Sequence, residues 1–131
     1  MKKWIPILLS ALMLTGCAGG GSQEHHTYRQ ISMDEAVTMM AEASGYIVLD
    51  VRRPDEFAAG HIPNAINVPN ESIGTSEIPE LPDKDQLIMV YCRSGRRSKE
   101  AAEKLVKLGY TNVVEFGGIL DWKGEIVTGQ S

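Results

Sequence analysis

The sequence predicts one α/β domain, with a mostly parallel central sheet and helices on both of its faces. Its length of 131 residues suits a single compact domain. Two near-continuous apolar runs, residues 46–51 and 87–92, have the composition of parallel strands buried on both faces. Helical patterns alternate with these runs along the chain, which is the order typical of a parallel sheet.

The chain begins with the pattern of an export signal. Lys2 and Lys3 precede an apolar stretch, residues 5–14, which is too short to span a bilayer. The stretch "LTGC", residues 14–17, resembles the lipobox of bacterial lipoproteins. That resemblance implies that residues 1–16 are a signal peptide and that Cys17 is lipidated, so that the protein is anchored outside the cytoplasm, in the periplasm or on the outer surface. A plain secretory signal with an incidental cysteine is the alternative.

Residues 17–28 are rich in glycine and polar residues and predict a flexible linker between the lipid and a domain over residues 29–131. His25 and His26 lie in this linker without the further ligands that a metal site needs, so no metal and no cofactor is predicted. The 13 basic and 17 acidic residues give a net charge of -4, which argues against nucleic acid as a general partner.

The first element of the domain is a helix. Ser32 and Glu35 have the spacing of a capping box, and Gly45 is the expected end. Apolar residues continue the helix at helical spacing, namely Ala36, Val37, Met40 and Ala43. The apolar run of residues 46–51 then predicts the first buried strand.

Five prolines limit the middle of the domain to turns, a brief helix near residues 55–58 and a short strand over residues 65–68. After the second buried strand, residues 87–92, a helix is predicted over residues 98–108, with Gly109 as its stop. Its apolar side should face inward, and its outer side offers the ion pairs Glu100–Lys104 and Glu103–Lys107. Residues 112–116 predict a last strand, and residues 117–122 a turn into a final helical segment.

Cys92 lies at the carboxyl end of the second buried strand, where parallel sheets bind ligands. If Cys17 is lipidated, Cys92 is the only free thiol of the chain, and an exported protein with a lone thiol is a candidate for thiol chemistry. The thiolate is the nucleophilic form, and free amides at a helix start together with guanidinium groups favour it. The simpler alternative is an arginine patch beside a half-buried cysteine.

The loop after Cys92 has the residues of an anion-binding cradle. Gly95 permits a sharp turn, Ser94 and Ser98 can donate hydrogen bonds, and Ser98 can also cap the following helix. Arg93, Arg96 and Arg97 add local positive charge to an acidic chain.

Three ordered motifs are similar to those of the rhodanese family of sulfurtransferases. "VLDVRRPDEFAAGHIPNAINVP", residues 48–69, resembles the first signature, "IMVYCRSGRRS", residues 88–98, the active-site loop, and "GGILDW", residues 117–122, the closing element. The resemblance covers residues 31–122. Asn64 stands where the family usually has glycine; because asparagine tolerates a left-handed backbone, we expect the same turn.

The resemblance implies that Cys92 takes a sulfane sulfur from a small anionic donor, carries it as a persulfide, and passes it to a thiol or cyanide-like acceptor, which can also be a protein. Backbone amides of residues 93–97 would hold the anion, with Arg93 at the rim. Asp50, Arg52 and Glu56 match the family's polar support network, although plain surface charge is an open alternative for each. His61 is expected to be a hydrogen-bonding turn residue, and Trp122 to pack against the last segment.

Two other classes use a similar cysteine. Cysteine-dependent phosphatases and arsenate reductases have Cys-x5-Arg, whereas Cys92 and Arg97 here stand at Cys-x4-Arg with Ser98 in the later position. The shorter loop favours sulfur over phosphate. A non-catalytic persulfide carrier or redox-sensing domain would use the same cysteine and stays open.

Overall fold

The structure is a computed structural model and describes residues 27–74 and 76–129. Cys17 and the pair His25 and His26 lie outside the described residues, so the lipidation site remains a prediction. Within the described ranges, no helix combines the length and the apolar character needed to cross a membrane.

Five parallel strands form one sheet in the order β1-β5-β4-β2-β3. The strands are β1 Arg29–Gln30, β2 Ile47–Asp50, β3 Ile66–Asn67, β4 Ile88–Cys92 and β5 Val113–Gly118. Four of them lie where the sequence predicts strands. Strand β1 is additional: its two side chains are exposed, so no apolar pattern marks it in the sequence.

Three α-helices cover the two faces of the sheet: α1 Met33–Glu42, α2 Pro54–Ala59 and α3 Arg96–Lys107. Ala36 of α1 and Phe57 of α2 belong to a core on one face. Ala101, Ala102 and Leu105 of α3 belong to a second core on the opposite face. The predicted α/β class, with a parallel sheet and helices on both faces, is therefore confirmed.

The chain changes direction across the sheet between β2 and β4. These strands are neighbours, with Asp50 in register with Tyr91. The helix after β2 packs on one face and the helix after β4 on the other. A crevice forms beyond the carboxyl ends of strands at such a switch point, and it is the usual ligand site of open α/β sheets. Asp50 and Cys92 end the two strands that border it.

Helix α1 begins as predicted. The amide of Glu35 donates to Ser32 Oγ at 3.1 Å, and the amide of Ser32 donates to Glu35 Oε1 at 2.9 Å, which completes the capping box. Ala36 faces the sheet and is fully buried, whereas its neighbour Val37 is 48% exposed. Successive residues of an α-helix point about 100° apart, so the burial of Ala36 does not require the burial of Val37.

Helix α3 begins at Arg96, two residues before the predicted start. Gly95 occupies the N-cap position, so the prediction that Ser98 caps the helix is wrong. The predicted pair of Glu100 with Lys104 is replaced by contacts with Asn70, on the 3₁₀ turn Asn70–Ser72: Glu100 accepts a hydrogen bond from the side-chain amide of Asn70, and Lys104 donates to the two oxygens of Asn70. Gly109, with φ of 100°, follows the end of α3 as predicted.

The turn at Asn64 also agrees with the sequence. Asn64 has φ of 71°, which is the left-handed backbone that asparagine tolerates better than most residues. After β5 the chain forms the short 3₁₀ turn Ile119–Asp121, which is the predicted final helical segment in reduced form.

Candidate active site

Cys92 is the last residue of β4 and lies beneath the loop that leads into α3. Cys92 is only 1% exposed and belongs to the core on the α3 face. The amide of Gly95 donates to Cys92 Sγ at 2.9 Å. A backbone amide aimed at sulfur stabilises the thiolate over the thiol. Strand β4 therefore fixes the sulfur, and the loop supplies donors to it.

The environment of Cys92 lowers the pKa of its thiol from the ordinary value. Burial is the largest single influence and raises the pKa, because it removes the charged form from water. The hydroxyl of Ser98 and the amides of Ser98, Gly95 and Ser94 act in the opposite direction and together outweigh burial. The site thus favours the nucleophilic form without exposing it.

Two glycines allow the loop to adopt this shape. Gly95 has φ of 107°, in the left-handed region that disfavours other residues. A Cβ at Gly118 would overlap the carbonyl group of Arg93 and lie 2.6 Å from Ser94 Cα. The loop can therefore pass directly against the end of β5 only because Gly118 has no side chain.

The three arginines of the loop differ in their surroundings. Arg97 donates to Glu56 on α2 through two nitrogen–oxygen pairs of 2.8 and 3.2 Å. This hydrogen-bonded pair lowers the pKa of Glu56 to about 2, although partial burial of the carboxylate opposes the shift. Arg93 and Arg96 are exposed, and neither side chain forms an ion pair with any residue the structure describes. Of the three loop arginines, Arg93 and Arg96 are therefore the two whose guanidinium groups are available to an incoming anion.

Asp50 and Arg52 form a closed polar network beside the loop. Asp50 is fully buried, and Arg52 is 6% exposed, so neither is a plain surface charge. Arg52 Nη2 donates to Asp50 Oδ2 at 2.7 Å and to the carbonyl of Gly60 at 2.6 Å. The hydroxyl of Tyr91 donates to Asp50 Oδ2 at 2.7 Å and accepts from the amide of Ile62 at 3.1 Å. The network joins the ends of β2 and β4 to the segment after α2.

Sequence reasoning missed Glu115, a buried carboxylate behind the loop. Glu115 lies in β5 and is 2% exposed. Its Oε2 accepts hydrogen bonds from Ser98 Oγ at 2.6 Å and from the amide of Gly117 at 3.0 Å. The available signal was a single acidic residue inside the apolar stretch "NVVEF".

His61 and Trp122, the two other residues singled out in the sequence, both pack and form hydrogen-bonding contacts inside the domain. The ring of His61 is fully buried and stacks on Phe57 at 3.7 Å between centroids, with Nδ1 2.8 Å from the carbonyl of Phe57. Trp122 packs against the core on the α1 face and donates from Nε1 to the carbonyl of Glu125 at 2.9 Å. In the ranges that the structure covers, no group of acidic, histidine or cysteine side chains could hold a metal ion.

A cleft borders the loop on the side of Arg93. Its lining combines charged residues of the crevice with apolar residues of the last segment: Arg52, Glu56, Arg93, Ile119, Leu120, Trp122 and Ile126. Leu120 is 62% exposed and Ile126 44% exposed. The cleft beside Arg93 therefore combines charged side chains with exposed apolar surface.

Comparison with known proteins agrees with this geometry. The family model for the rhodanese-like domain matches residues 32–125. Thiosulfate sulfurtransferase PspE of Escherichia coli is 38% identical over 73 residues, which are 56% of this chain and 70% of the relative. Thiosulfate sulfurtransferase GlpE of Pseudomonas entomophila is 35% identical over 97 residues, which are 73% of this chain and 85% of the relative.

A solved structure also has this fold. A rhodanese with anions from E. coli superposes with a TM-score of 0.59 at 36% identity, and the match covers 64% of this chain and 99% of that one. The strand order, the loop around Cys92 and these similarities lead to one assignment. The chain belongs to the family of rhodanese-like domains, and it is a sulfurtransferase.

Proposed function

We propose that this sulfurtransferase moves a sulfane sulfur from a small anionic donor of the thiosulfate class, through a persulfide on Cys92, to a thiophilic acceptor. The observation that carries the proposal is the Gly95 amide at 2.9 Å from Cys92 Sγ, beneath a loop that lowers the pKa of the thiol. The relatives named as thiosulfate sulfurtransferases support the choice of donor.

The first half of the reaction loads the enzyme. The Cys92 thiolate attacks the outer sulfur of thiosulfate, the sulfur–sulfur bond of the donor breaks, and sulfite leaves with the electron pair. The persulfide carries its negative charge on the outer sulfur, where loop amides now aimed at Sγ can donate to it. Arg93 and Arg96 attract the doubly charged donor to the loop.

The second half returns the enzyme to its starting state. A thiolate or cyanide attacks the outer sulfur of the persulfide, the bond between the two sulfurs breaks, and Cys92 leaves as the thiolate. Cyanide yields thiocyanate, and a thiol yields a new persulfide. The cycle needs no outside oxidant or reductant, because in each half-reaction the leaving group departs with the bonding electron pair and the sulfane sulfur is transferred as a neutral atom.

The position of Arg97 supports sulfur over phosphate as the transferred group. A phosphatase of this architecture needs an arginine that faces a tetrahedral anion inside a loop of Cys-x5-Arg. Arg97 follows Cys92 at Cys-x4-Arg and donates to Glu56 through two contacts. Its charge is therefore already neutralised by a protein carboxylate.

Thiocyanate formation from thiosulfate and cyanide tests the proposal. The wild-type protein should produce thiocyanate, and Cys92→Ala should not. Glu80→Gln, which changes an exposed side chain, is the control and should match the wild type. If wild type and Cys92→Ala release the same amount, thiosulfate is not the donor of this enzyme.

Mass spectrometry separates an enzyme from a carrier. After exposure to thiosulfate or to glutathione persulfide, Cys92 should gain about 32 Da, the mass of one sulfur. A mass gain that small acceptors remove within the assay indicates an enzyme. A gain that persists with cyanide and thiols, and passes only to a protein, favours a persulfide carrier.

We propose further that Cys17 is acylated and holds the domain at the outer side of a membrane. The order of Lys2 and Lys3, the apolar stretch and the lipobox supports this placement. Cys17→Ser should move the protein from the membrane fraction to the soluble fraction, while Cys92→Ser should remain in the membrane fraction. Unchanged partitioning of Cys17→Ser would remove the basis for a lipid anchor.

A further inference from the structure

The cleft beside Arg93 is larger than the proposed sulfur donor needs. Its volume is about 410 Å³, which lies within the range of roughly 300–1,000 Å³ that is typical of binding sites for organic molecules. Thiosulfate and cyanide are much smaller, and neither of them carries an apolar surface. The cleft therefore has room for an organic molecule.

This cleft is tied to the loop that follows Cys92. The amide of Leu120 donates to the carbonyl of Arg93 at 3.2 Å, and Arg93 directly follows Cys92 in the chain. Strand β5 reaches the same place, because Gly118 is in register with Cys92. A molecule held by Arg93 and Leu120 therefore lies alongside the loop that leads from the reacting cysteine.

Part of the cleft is apolar and open to water. Leu120 is 62% exposed and Ile126 is 44% exposed, and they are two of the three large hydrophobic side chains that are exposed among the residues the structure describes. Ile119 and Trp122, which are half-buried, complete the apolar lining. Exposed apolar side chains that gather in one place are typical of a binding site.

The backbone around Ile126 fixes the apolar wall. The next residue, Val127, forms hydrogen bonds of 2.8 and 2.9 Å with the backbone of His61. A Cβ at Gly60 would lie 3.1 Å from Ile126 Cγ2, so this side chain packs directly against the residue that ends α2. The wall is therefore preorganised, and a ligand does not have to order it.

The charged side chains of the cleft leave one cation without a partner. Arg52 is paired with Asp50, and Glu56 is paired with Arg97. Arg93, the third charged residue of the lining, forms no ion pair within residues 27–74 and 76–129. One positive charge remains once the pairs cancel, and a carboxylate is the complementary group on a ligand.

We propose that this cleft binds the sulfur acceptor, and that the acceptor is an organic thiol with a carboxylate and an apolar chain. The carboxylate pairs with Arg93, and the chain lies on Leu120 and Ile126. The inference rests on the proposed function and adds the chemical class of one of its two substrates. The donor is a small dianion without apolar surface, so the apolar lining matches the second reactant of the cycle.

The bound acceptor completes the cycle in one displacement. Its thiol loses a proton to water, and the resulting thiolate attacks the outer sulfur of the Cys92 persulfide. A bond forms between the acceptor sulfur and the outer sulfur, and the bond between the two sulfurs of the persulfide breaks. Cys92 leaves with the bonding electron pair, and the acceptor departs as an organic persulfide.

Three alkyl thiols test the two parts of the site. 6-Mercaptohexanoate has the carboxylate and the chain, 3-mercaptopropionate has a shorter chain, and 6-mercaptohexanol lacks the carboxylate. Because sulfur passes through a covalent intermediate, kcat/KM for the acceptor reports only on the second half of the reaction. With thiosulfate as donor and sulfite release as the measure, full-length wild type should prefer 6-mercaptohexanoate over 3-mercaptopropionate by about tenfold and over 6-mercaptohexanol by about threefold.

Substitutions in the cleft should remove these preferences separately. Leu120→Ser should reduce the preference for the longer chain to about threefold or less, because the chain then covers a polar side chain. Ile126→Ser should have the same effect, which provides the test if Leu120→Ser does not fold. Arg93→Gln should abolish the preference for the carboxylate. Val37→Ser is the matched control and should keep both preferences, since Val37 is the third exposed hydrophobic side chain and does not line this cleft.

Binding of heptanoate tests the cleft without sulfur transfer. Heptanoate has a methyl group in place of the thiol of 6-mercaptohexanoate and keeps its carboxylate and chain. Ligand-detected NMR on full-length protein in detergent should give a dissociation constant for the wild type at least about threefold lower than for Leu120→Ser or Arg93→Gln. Val37→Ser in the same detergent should match the wild type, which corrects for uptake of heptanoate by micelles.

Two results would overturn the inference. One is a wild type with equal kcat/KM for the three thiols. The other is a set of preferences, or a heptanoate affinity, that persists unchanged in Leu120→Ser, Ile126→Ser and Arg93→Gln. Thiocyanate formation reports separately on the proposed function, because cyanide has neither a carboxylate nor a chain. If neither cyanide nor the thiols accept sulfur, the proposed function fails, and heptanoate binding alone decides whether the cleft takes a carboxylate with an apolar chain.

Discussion

The hydroxyl of Tyr91 joins two parts of the crevice, since it donates to Asp50 and accepts from the amide of Ile62. Tyr91→Phe should lower the free energy of unfolding by about 1–3 kcal/mol, because it leaves buried polar groups without a partner. Chemical denaturation measures the effect. Tyr28→Phe is the matched control, because the hydroxyl of Tyr28 makes no hydrogen bond with the residues the structure describes. Equal stability of the two variants would contradict the role assigned to Tyr91.

Glu56 gives the protein a stability that depends on pH. Its pKa is lowered from 4.5 to about 2 in the folded protein by its hydrogen-bonded pair with Arg97. The stabilisation is therefore complete above pH 4.5 and is lost as the pH falls through the folded pKa near 2. Wild type should lose more unfolding free energy between pH 5 and 2 than Glu56→Gln, as measured by denaturation at each pH. Parallel curves for the two proteins would show that the ion pair does not contribute.

The role of a single residue was predictable where its side-chain type alone determines its chemistry or its backbone preference. Cys92 stood out because few other side chains can act as a nucleophile at neutral pH, and Asn64 because its backbone preference is local. The pairing of Arg97 with Glu56 was not predictable, since the two lie 41 positions apart and meet only through the packing of α2 and α3. Glu115 was missed because a strand pattern shows that a position is buried but not what lies opposite it.

The loop between β4 and α3 depends on the end of β5. Gly118→Ala places a methyl group against the carbonyl group of Arg93 and must displace the loop. We expect a loss of about 1–3 kcal/mol in unfolding free energy and a marked loss of sulfur transfer, because the Gly95 amide moves away from Cys92. Gly74→Ala is the control, since a Cβ there meets nothing within 4 Å. Full activity of Gly118→Ala would show that the loop can shift without cost.

At the scale of elements, the apolar runs and the prolines located four of the five strands, and the capping box located α1. The boundaries of α3 were less predictable. Its first turn contains two arginines and a serine instead of an apolar stripe, because that turn continues directly from the loop after Cys92. Strand β1 is too short for any periodicity, and it is defined only by its pairing with β5.

The whole molecule is acidic, whereas the loop is basic, and this contrast predicts how salt affects donor binding. On the proposed function, the net charge of -4 repels a dianionic donor from a distance, while Arg93 and Arg96 attract it at close range. Added salt should therefore raise the KM of the wild type for thiosulfate. In the double variant Arg93→Gln, Arg96→Gln only repulsion remains, so salt should lower the KM. Steady-state kinetics at several salt concentrations measures both slopes, and slopes of the same sign would contradict local attraction by the two arginines.

The central position of β4 has a consequence for motion. All five residues of this strand are buried, and it is hydrogen-bonded to β2 on one side and β5 on the other. Amides of such a strand exchange with deuterium only when the protein opens globally. The sulfur of Cys92 is thus anchored to the slowest-exchanging part of the molecule, while the next two residues, Arg93 and Ser94, are exposed to water. Deuterium uptake should therefore change from the slowest to among the fastest within three residues.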